Sequence, residues 1–120
     1  MNRRGGNESE ILITTELDPQ GFLIKERFGI VFGVSVFSRN ILGNFFGSIR
    51  AIFGGEQSGY AKMIMKNRDN AIEKLIENAR NVGANAVIGV RFDSNEFDSG
   101  KGQSMNEVVV YGSAVRLERK

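Results

Sequence analysis

The sequence contains no cysteine and no histidine among its 120 residues. Without cysteine there is no disulfide framework, which favours a reducing compartment, and we expect a cytoplasmic protein. Cysteine and histidine are also the usual protein ligands for zinc, copper, nickel and iron. Their absence argues against a buried transition-metal site, and it removes the commonest general base and the commonest nucleophile pairings.

An excess of one charge is also missing, since the formal net charge is only +2. Domains that bind nucleic acid usually cluster their basic residues, whereas lysine and arginine are scattered here, so we expect no nucleic-acid partner. No run of 18 uncharged apolar residues occurs, which predicts no transmembrane segment. Residues 1–10 are polar and carry no apolar core of a signal peptide.

The composition is that of an ordinary globular protein, with 41% apolar and 25% charged residues. A chain of this length normally forms one domain around one core. We therefore predict a flexible N-terminal segment at residues 1–10 and a single domain at residues 11–118.

Four apolar segments are rich in β-branched residues and predict strands. The first ends at the turn residues Asp18-Pro-Gln-Gly21. The second contains Gly29 and Gly33, which indicate a bend or bulge, so it forms one bent strand or two. A polar loop is predicted between the third and fourth segments, at Ser94–Gln103. The segments are Ile11–Thr15, Phe22–Glu26 together with Ile30–Phe37, Ala86–Phe92 and Val108–Leu117.

Two segments have helical periodicity. The shorter one follows Ser38, a suitable N-cap, and ends at Gly54-Gly55. The longer one is predicted from Ser58 to Val82, with Gly83 as the left-handed residue beyond its end. The sequence thus predicts an α+β fold with a small, mostly antiparallel sheet, one short helix and one long helix.

Glycine weakens a strand unless something must approach it closely. Gly89 and Gly112 lie inside predicted strands. We therefore expect the long helix, or a neighbouring subunit, to pack against the sheet at these two positions.

The short helix has a wide apolar stripe, which predicts an oligomer interface. Exposed on a monomer, such a stripe would exceed the usual apolar patch. A membrane-surface helix normally carries many lysines and arginines, whereas this one has only Arg39 and Arg50, so a homo-oligomer is favoured over membrane association. The predicted interface residues are Ile41, Leu42, Phe45, Phe46, Ile49 and Phe53.

Three carboxylates, Asp93, Glu96 and Asp98, lie within six residues. Their hard oxygen atoms suit calcium or magnesium, so they are the candidate metal ligands. The spacing does not match an EF-hand, and a solvated hairpin loop is the alternative.

No cofactor site or catalytic residue is predicted. The loop Gly54–Gly59 lacks both the Walker pattern and the dinucleotide fingerprint. No base is identifiable beside Thr14, Thr15, Tyr60 or Tyr111, and we expect no enzyme.

Several glycine-containing segments occur together in a fixed order. They are Gly29-Ile-Val-Phe-Gly33, Ile52-Phe-Gly-Gly55, Ser58-Gly-Tyr60, Gly83-Ala-Asn-Ala-Val-Ile-Gly-Val90 and Gly112-Ser-Ala-Val115. This combination resembles the YbjQ-type family, often labelled a heavy-metal-binding domain, over residues 11–117. The resemblance implies a small α+β protomer that assembles into a ring, typically a homopentamer, in a bacterial cytoplasm. It implies no assigned activity.

The leading hypothesis is thus a non-enzymatic, homo-oligomeric binding or scaffolding protein. The alternatives are a protein that binds a metal ion or a small ligand through oxygen atoms, and a membrane-surface protein.

Overall fold

The computed structural model describes residues 10–38, 56–98 and 104–120. In this part of the chain, four strands form one sheet and one helix packs on it. The elements are β1 (Leu12–Ile13), β2 (Phe22–Ser38), α1 (Glu56–Asn81), β3 (Ala86–Asp98) and β4 (Ser104–Arg119). The strand order is β1-β3-β4-β2. The sheet is mixed because β1 pairs with β3 in parallel, while the other pairs are antiparallel. The predicted α+β class is confirmed.

Strand β2 is one bent strand rather than two. Its pairing with β4 shifts register between Ile24 and Glu26 and again between Arg27 and Gly29. Gly29 adopts a φ of 99°, which a residue with a side chain rarely adopts. From Gly29 to Ser38 the register is regular, so alternate side chains of this half of β2 lie on opposite faces of the sheet.

The predicted loop at Ser94–Gln103 is too long. Strand β3 continues to Asp98 and β4 already begins at Ser104, with residues 93–98 paired to residues 109–104. All residues of this half of β3 except Phe97 are polar, so it lacks the apolar alternation by which strands are recognised. Its backbone pairing with β4 holds it in the sheet instead.

Helix α1 begins two residues before the predicted cap, Ser58, and ends as predicted. Gly83 has a φ of 91°. Its N–H donates to the Arg80 carbonyl at 3.0 Å, and the Ala84 N–H donates to the Ala79 carbonyl at 3.1 Å. These two bonds form a Schellman cap. The short helix predicted after Ser38 lies outside the described residues.

The helix touches the sheet at Gly33. A Cβ atom at this position would overlap the Ala71 carbonyl oxygen and would lie 2.6 Å from the Leu75 nitrogen. Around this contact, Ala71, Leu75 and Ala79 are fully buried. They pack with residues of all three long strands, including Val31, Val87, Val90, Val108 and Val110.

The expected helix contacts at Gly89 and Gly112 are not found. A Cβ atom on Gly112 would instead meet the Val87 side chain of the neighbouring strand at 2.7 Å, and one on Gly89 would meet Leu17 at 2.8 Å. Gly89 also has a φ of 62°, next to the register shift between Ile88 and Arg91. These two glycines accommodate the bulge of β3, not the helix.

We expect Gly33→Ala to destabilise the fold strongly, because the two nearest atoms that the new methyl group would meet belong to the helix backbone. The loss should reach or exceed the upper end of the ~1–3 kcal/mol that overpacking costs. Gly21→Ala is the control. Gly21 has a φ of 88° but nothing within 4 Å of its Cβ position, so its backbone strain should cost only about 1–2 kcal/mol. Urea unfolding measures both, and equal losses would contradict the close contact.

Candidate assembly surface

The sheet face opposite the helix is apolar and exposed at one end. Strand alternation buries Val31, Gly33 and Ser35 beneath α1 and places the intervening residues on the other face. The exposed members are Ile30 (67%), Phe32 (51%), Val34 (38%), Val36 (42%) and Tyr111 (37%). We call these five residues the open face.

The members of the open face are neighbours across the strands. Phe32 is paired with Tyr111 and Val34 with Val109, and the rings of Phe32 and Tyr111 lie 6.2 Å apart. At the other end of the same face Val115 and Leu117 are only 1% and 7% exposed and pack with Phe22. The open face is therefore a contiguous apolar patch, and such patches usually mark interaction surfaces.

Strand β2 also forms an edge of the sheet. Among the described residues its only strand neighbour is β4. The Asn78 amide donates a hydrogen bond of 2.7 Å to the Phe32 carbonyl, so the helix satisfies this carbonyl group. By alternation the peptide groups of Val34 and Val36 point the same way as that of Phe32.

Soluble proteins usually protect an edge strand with charged residues or proline. The segment Ile30–Phe37 of β2 contains neither. The open face and this uncharged edge adjoin, and together they form a surface on which another strand could pair.

A groove runs between this edge and the helix. Val36 and Phe37 line it on the strand side, and Glu73, Lys74 and Glu77 of α1 give it a charged rim. Ser35 and Asn70 complete the lining. The groove places two carboxylates and one ammonium group beside the edge of β2.

A buried polar pair joins the helix to β4. Asn67 is 0% exposed, and Asn106 is 4% exposed. The Asn67 amide nitrogen donates to the Asn106 side-chain oxygen at 2.7 Å and to its carbonyl oxygen at 3.2 Å. The Asn67 side-chain oxygen is buried and accepts no bond in the part of the chain that is described. No sequence motif distinguishes these two asparagines from exposed ones.

The candidate metal ligands diverge within one copy. Asp93 is paired with Val109, and Glu96 with Asn106, so alternation places these two carboxylates on opposite faces of the sheet. The Asp98 side chain lies outside the described residues. Nowhere in residues 10–38, 56–98 and 104–120 do three side chains of the metal-binding types come together.

The remaining candidate residues either contribute to local structure or lie outside the described residues. Thr14 accepts a hydrogen bond from the Glu16 N–H at 3.1 Å, and Tyr111 belongs to the open face. The Tyr60 side chain and all six predicted interface residues, from Ile41 to Phe53, fall outside the described residues. Helix α1 is not long and apolar enough to cross a membrane, and no other helix occurs in the described part.

A family model described as "Putative heavy-metal-binding" matches residues 11–118. The chain belongs to this YbjQ-type family. The resemblance found in the glycine-containing segments is thereby confirmed.

Two similar proteins, both named UPF0145 protein, come from Acidiphilium cryptum and Sulfurisphaera tokodaii. The first is 54% identical over 110 residues, which cover 92% of this chain and 96% of the relative. The second is 47% identical over 108 residues, or 90% and 91% of the two chains. Archaeal relatives thus occur beside bacterial ones, and membership of the family does not place this chain in a bacterium.

A solved structure from Pediococcus pentosaceus, of a protein with unknown function that belongs to the DUF74 family, has a similar fold. The TM-score is 0.60, with 18% identity over 90% of this chain and 98% of that chain. At 18% identity, the likeness shows a shared fold only.

The donor atoms of this chain do not fit the metals named in the family description. Heavy metals are held mainly by thiolate and imidazole groups, and this sequence has neither. Carboxylates suit harder cations best, and Asp93 and Glu96 do not converge within one copy.

We expect Asn67→Ala to reduce the free energy of unfolding by about 1–3 kcal/mol, because it leaves the buried Asn106 oxygen without its donor. Asn70→Ala, three residues away on the partly exposed rim of the groove, should cost no more than about 0.5 kcal/mol. Denaturant unfolding compares them. Similar losses for both variants would mean that the Asn67–Asn106 pair does not stabilise the fold.

Proposed function

We propose that the protein is a homo-oligomeric binding or scaffolding protein without catalytic activity. The observation that carries this proposal is the open face, which adjoins an edge strand without charge or proline. The ring of five subunits implied by the family resemblance is the assembly that we propose. The domain would comprise residues 11–118 and would function in the cytoplasm, in line with the absence of cysteine.

The open face would supply part of the association energy. Burying apolar surface contributes roughly 25 cal/mol per Å². Five side chains that are 37–67% exposed supply only a fraction of the ~800 Å² that each partner buries in a typical stable interface. A stable ring therefore needs further contacts, and the edge of β2, the groove and the predicted stripe at Ile41–Phe53 are the candidates.

Binding of a metal ion or a small ligand through oxygen atoms is the alternative function. Asp93 lies at the exposed end of β3, and a symmetric assembly would repeat it once per subunit. A site for calcium or magnesium would then be built between copies. Membrane-surface association would depend on the segment Ile41–Phe53 and ranks behind both.

We expect the wild-type mass in solution, measured by light scattering over a range of dilutions, to lie near five protomers. The double variant Ile30→Thr and Val34→Thr keeps β-branched residues but makes the open face more polar, so its mass should fall. Leu23→Thr is the control, since Leu23 is 47% exposed on the same strand but outside the open face. A monomeric wild type would remove the proposal, and an unchanged mass of the double variant would exclude the open face.

We expect no stoichiometric heat when zinc or copper is titrated into the assembled protein, because the chain lacks thiol and imidazole ligands. If calcium or magnesium produces heat, Asp93→Asn should abolish it, and Asp69→Asn, on the exposed side of α1, should leave it unchanged. Calorimetry with a chelator-treated sample measures this. Stoichiometric binding of zinc or copper would revive the metal function that the family description names.

A further inference from the structure

The sheet has a second open edge, on β3. Strand β1 covers only the beginning of β3, where it pairs with Ala86 and Val87. Beyond it, the carbonyl groups of Glu16 and Thr14 accept the N–H groups of Gly89 and Val90 at 2.9 and 3.1 Å. From Arg91 to Asp98 no described strand lies on that side of β3.

The two open edges lie at the same level of the sheet. Phe32 of β2 is paired with Tyr111, which is paired in turn with Arg91 of β3; Val36 and Asn95 are related in the same way through Glu107. The exposed parts of β2 and β3 therefore match in length and position. Both strands are antiparallel to β4, so they run in the same direction.

These features determine the type of contact that the edges can make. Pairing between two copies of β2 would be isologous and would stop at a dimer. Pairing between β2 of one copy and β3 of the next joins different surfaces, and such a contact repeats from copy to copy and forms a ring where the rotation between copies closes. A ring that retains the strand directions would join the copies through parallel pairing.

The groups that flank the two edges are complementary. At the β3 edge, Phe92 is 45% exposed, and the Arg68 guanidinium lies 5.4 Å from the centre of its ring. At the β2 edge, Phe37 lies on the helix face and lines the groove, whose rim carries Glu73 and Glu77. An aromatic ring with an attached cation thus matches a groove that contains an aromatic ring and two carboxylates. Lys74 on the groove, and Asp93 and Glu96 on β3, are the charges of the other sign; Asp93 lies on the opposite sheet face, whereas Glu96 lies on the same face as Phe92, four residues further along the strand.

We infer that residues 34–37 of β2 in one copy pair in parallel with four consecutive residues of the segment 91–98 of β3 in a second copy. Phe92 and Arg68 of the second copy then occupy the groove between α1 and β2 of the first. The absence of charge from the β2 edge favours a strand as its occupant, and the matched β3 edge makes a second copy the partner. This inference rests on the proposed homo-oligomer and specifies its junction.

Engineered cysteines test the junction, because the wild-type chain contains none. Val36→Cys and Asn95→Cys change exposed residues on the same sheet face. Within one copy β4 separates them by two strand spacings, roughly 9–10 Å, which exceeds the ~7 Å limit for a disulfide. A mixture of the two single variants should form covalent dimers under mild oxidation. The double variant should form a ladder that ends at the ring size.

Two further variants control for register and for random collision. Asp93→Cys lies on the same face as Asn95 and tests a junction shifted by two residues. Ser94→Cys, which is paired with Val108, lies on the helix face of β3. The Val36→Cys variant is mixed with each of the three β3 variants in turn. Whichever of Asn95→Cys and Asp93→Cys forms more disulfide should form at least about tenfold more than Ser94→Cys, because the sulfur atoms must approach from the same face.

The outcomes separate the junction from the oligomer itself. A disulfide that depends on both β2 and β3 cysteines, in a protein of oligomeric mass, supports the inference. Dimers of Val36→Cys alone would indicate pairing of β2 with β2 and would overturn it. An oligomeric mass without any of these disulfides would overturn the junction and leave the proposed assembly intact. A monomeric mass would overturn both.

Discussion

The close contact between Gly33 and the backbone of helix α1 determines the layout of the molecule. Because this position has no side chain, the helix lies directly on β2 and not over the centre of the sheet. The helix can then bury Val31 and Ser35 and hydrogen-bond the Phe32 carbonyl through Asn78. It also covers only one face of the sheet, and the apolar residues on the other face of β2 stay exposed.

The buried asparagine pair fixes the helix in a second direction. An apolar helix face can slide along an apolar sheet with little change in buried area. A buried hydrogen bond restricts the position of the helix, because breaking it leaves buried polar groups unpaired, which is unfavourable. Asn67 holds α1 to β4 at Asn106, and Gly33 holds it to β2. The groove with Glu73 and Glu77 on its rim is the space that this placement leaves beside the β2 edge.

Local signals in the sequence predicted the helices and strands better than the contacts between them. Gly83 identified the helix end because a left-handed cap has a chemical signature. The polar half of β3 was missed because its strand structure depends on pairing with β4, which no local pattern records. The sequence does not distinguish Gly33 from Gly29, although Gly33 allows close packing of the helix and Gly29 lies at a bulge. The open face did leave a signal, since a strand that is apolar on both faces, as Ile30–Phe37 is, normally has both faces buried.

An uncharged edge strand next to an apolar face is a hazard for a monomer, because it can pair with any exposed strand. Natural sheets remove the hazard by blunting the edge or by pairing it, and this chain has no charged residue or proline with which to blunt Ile30–Phe37. A symmetric dimer of β2 edges would leave both β3 edges open. Head-to-tail pairing of β2 with β3 covers both edges of every copy once the ring closes, so it is the simplest assembly that leaves neither edge exposed.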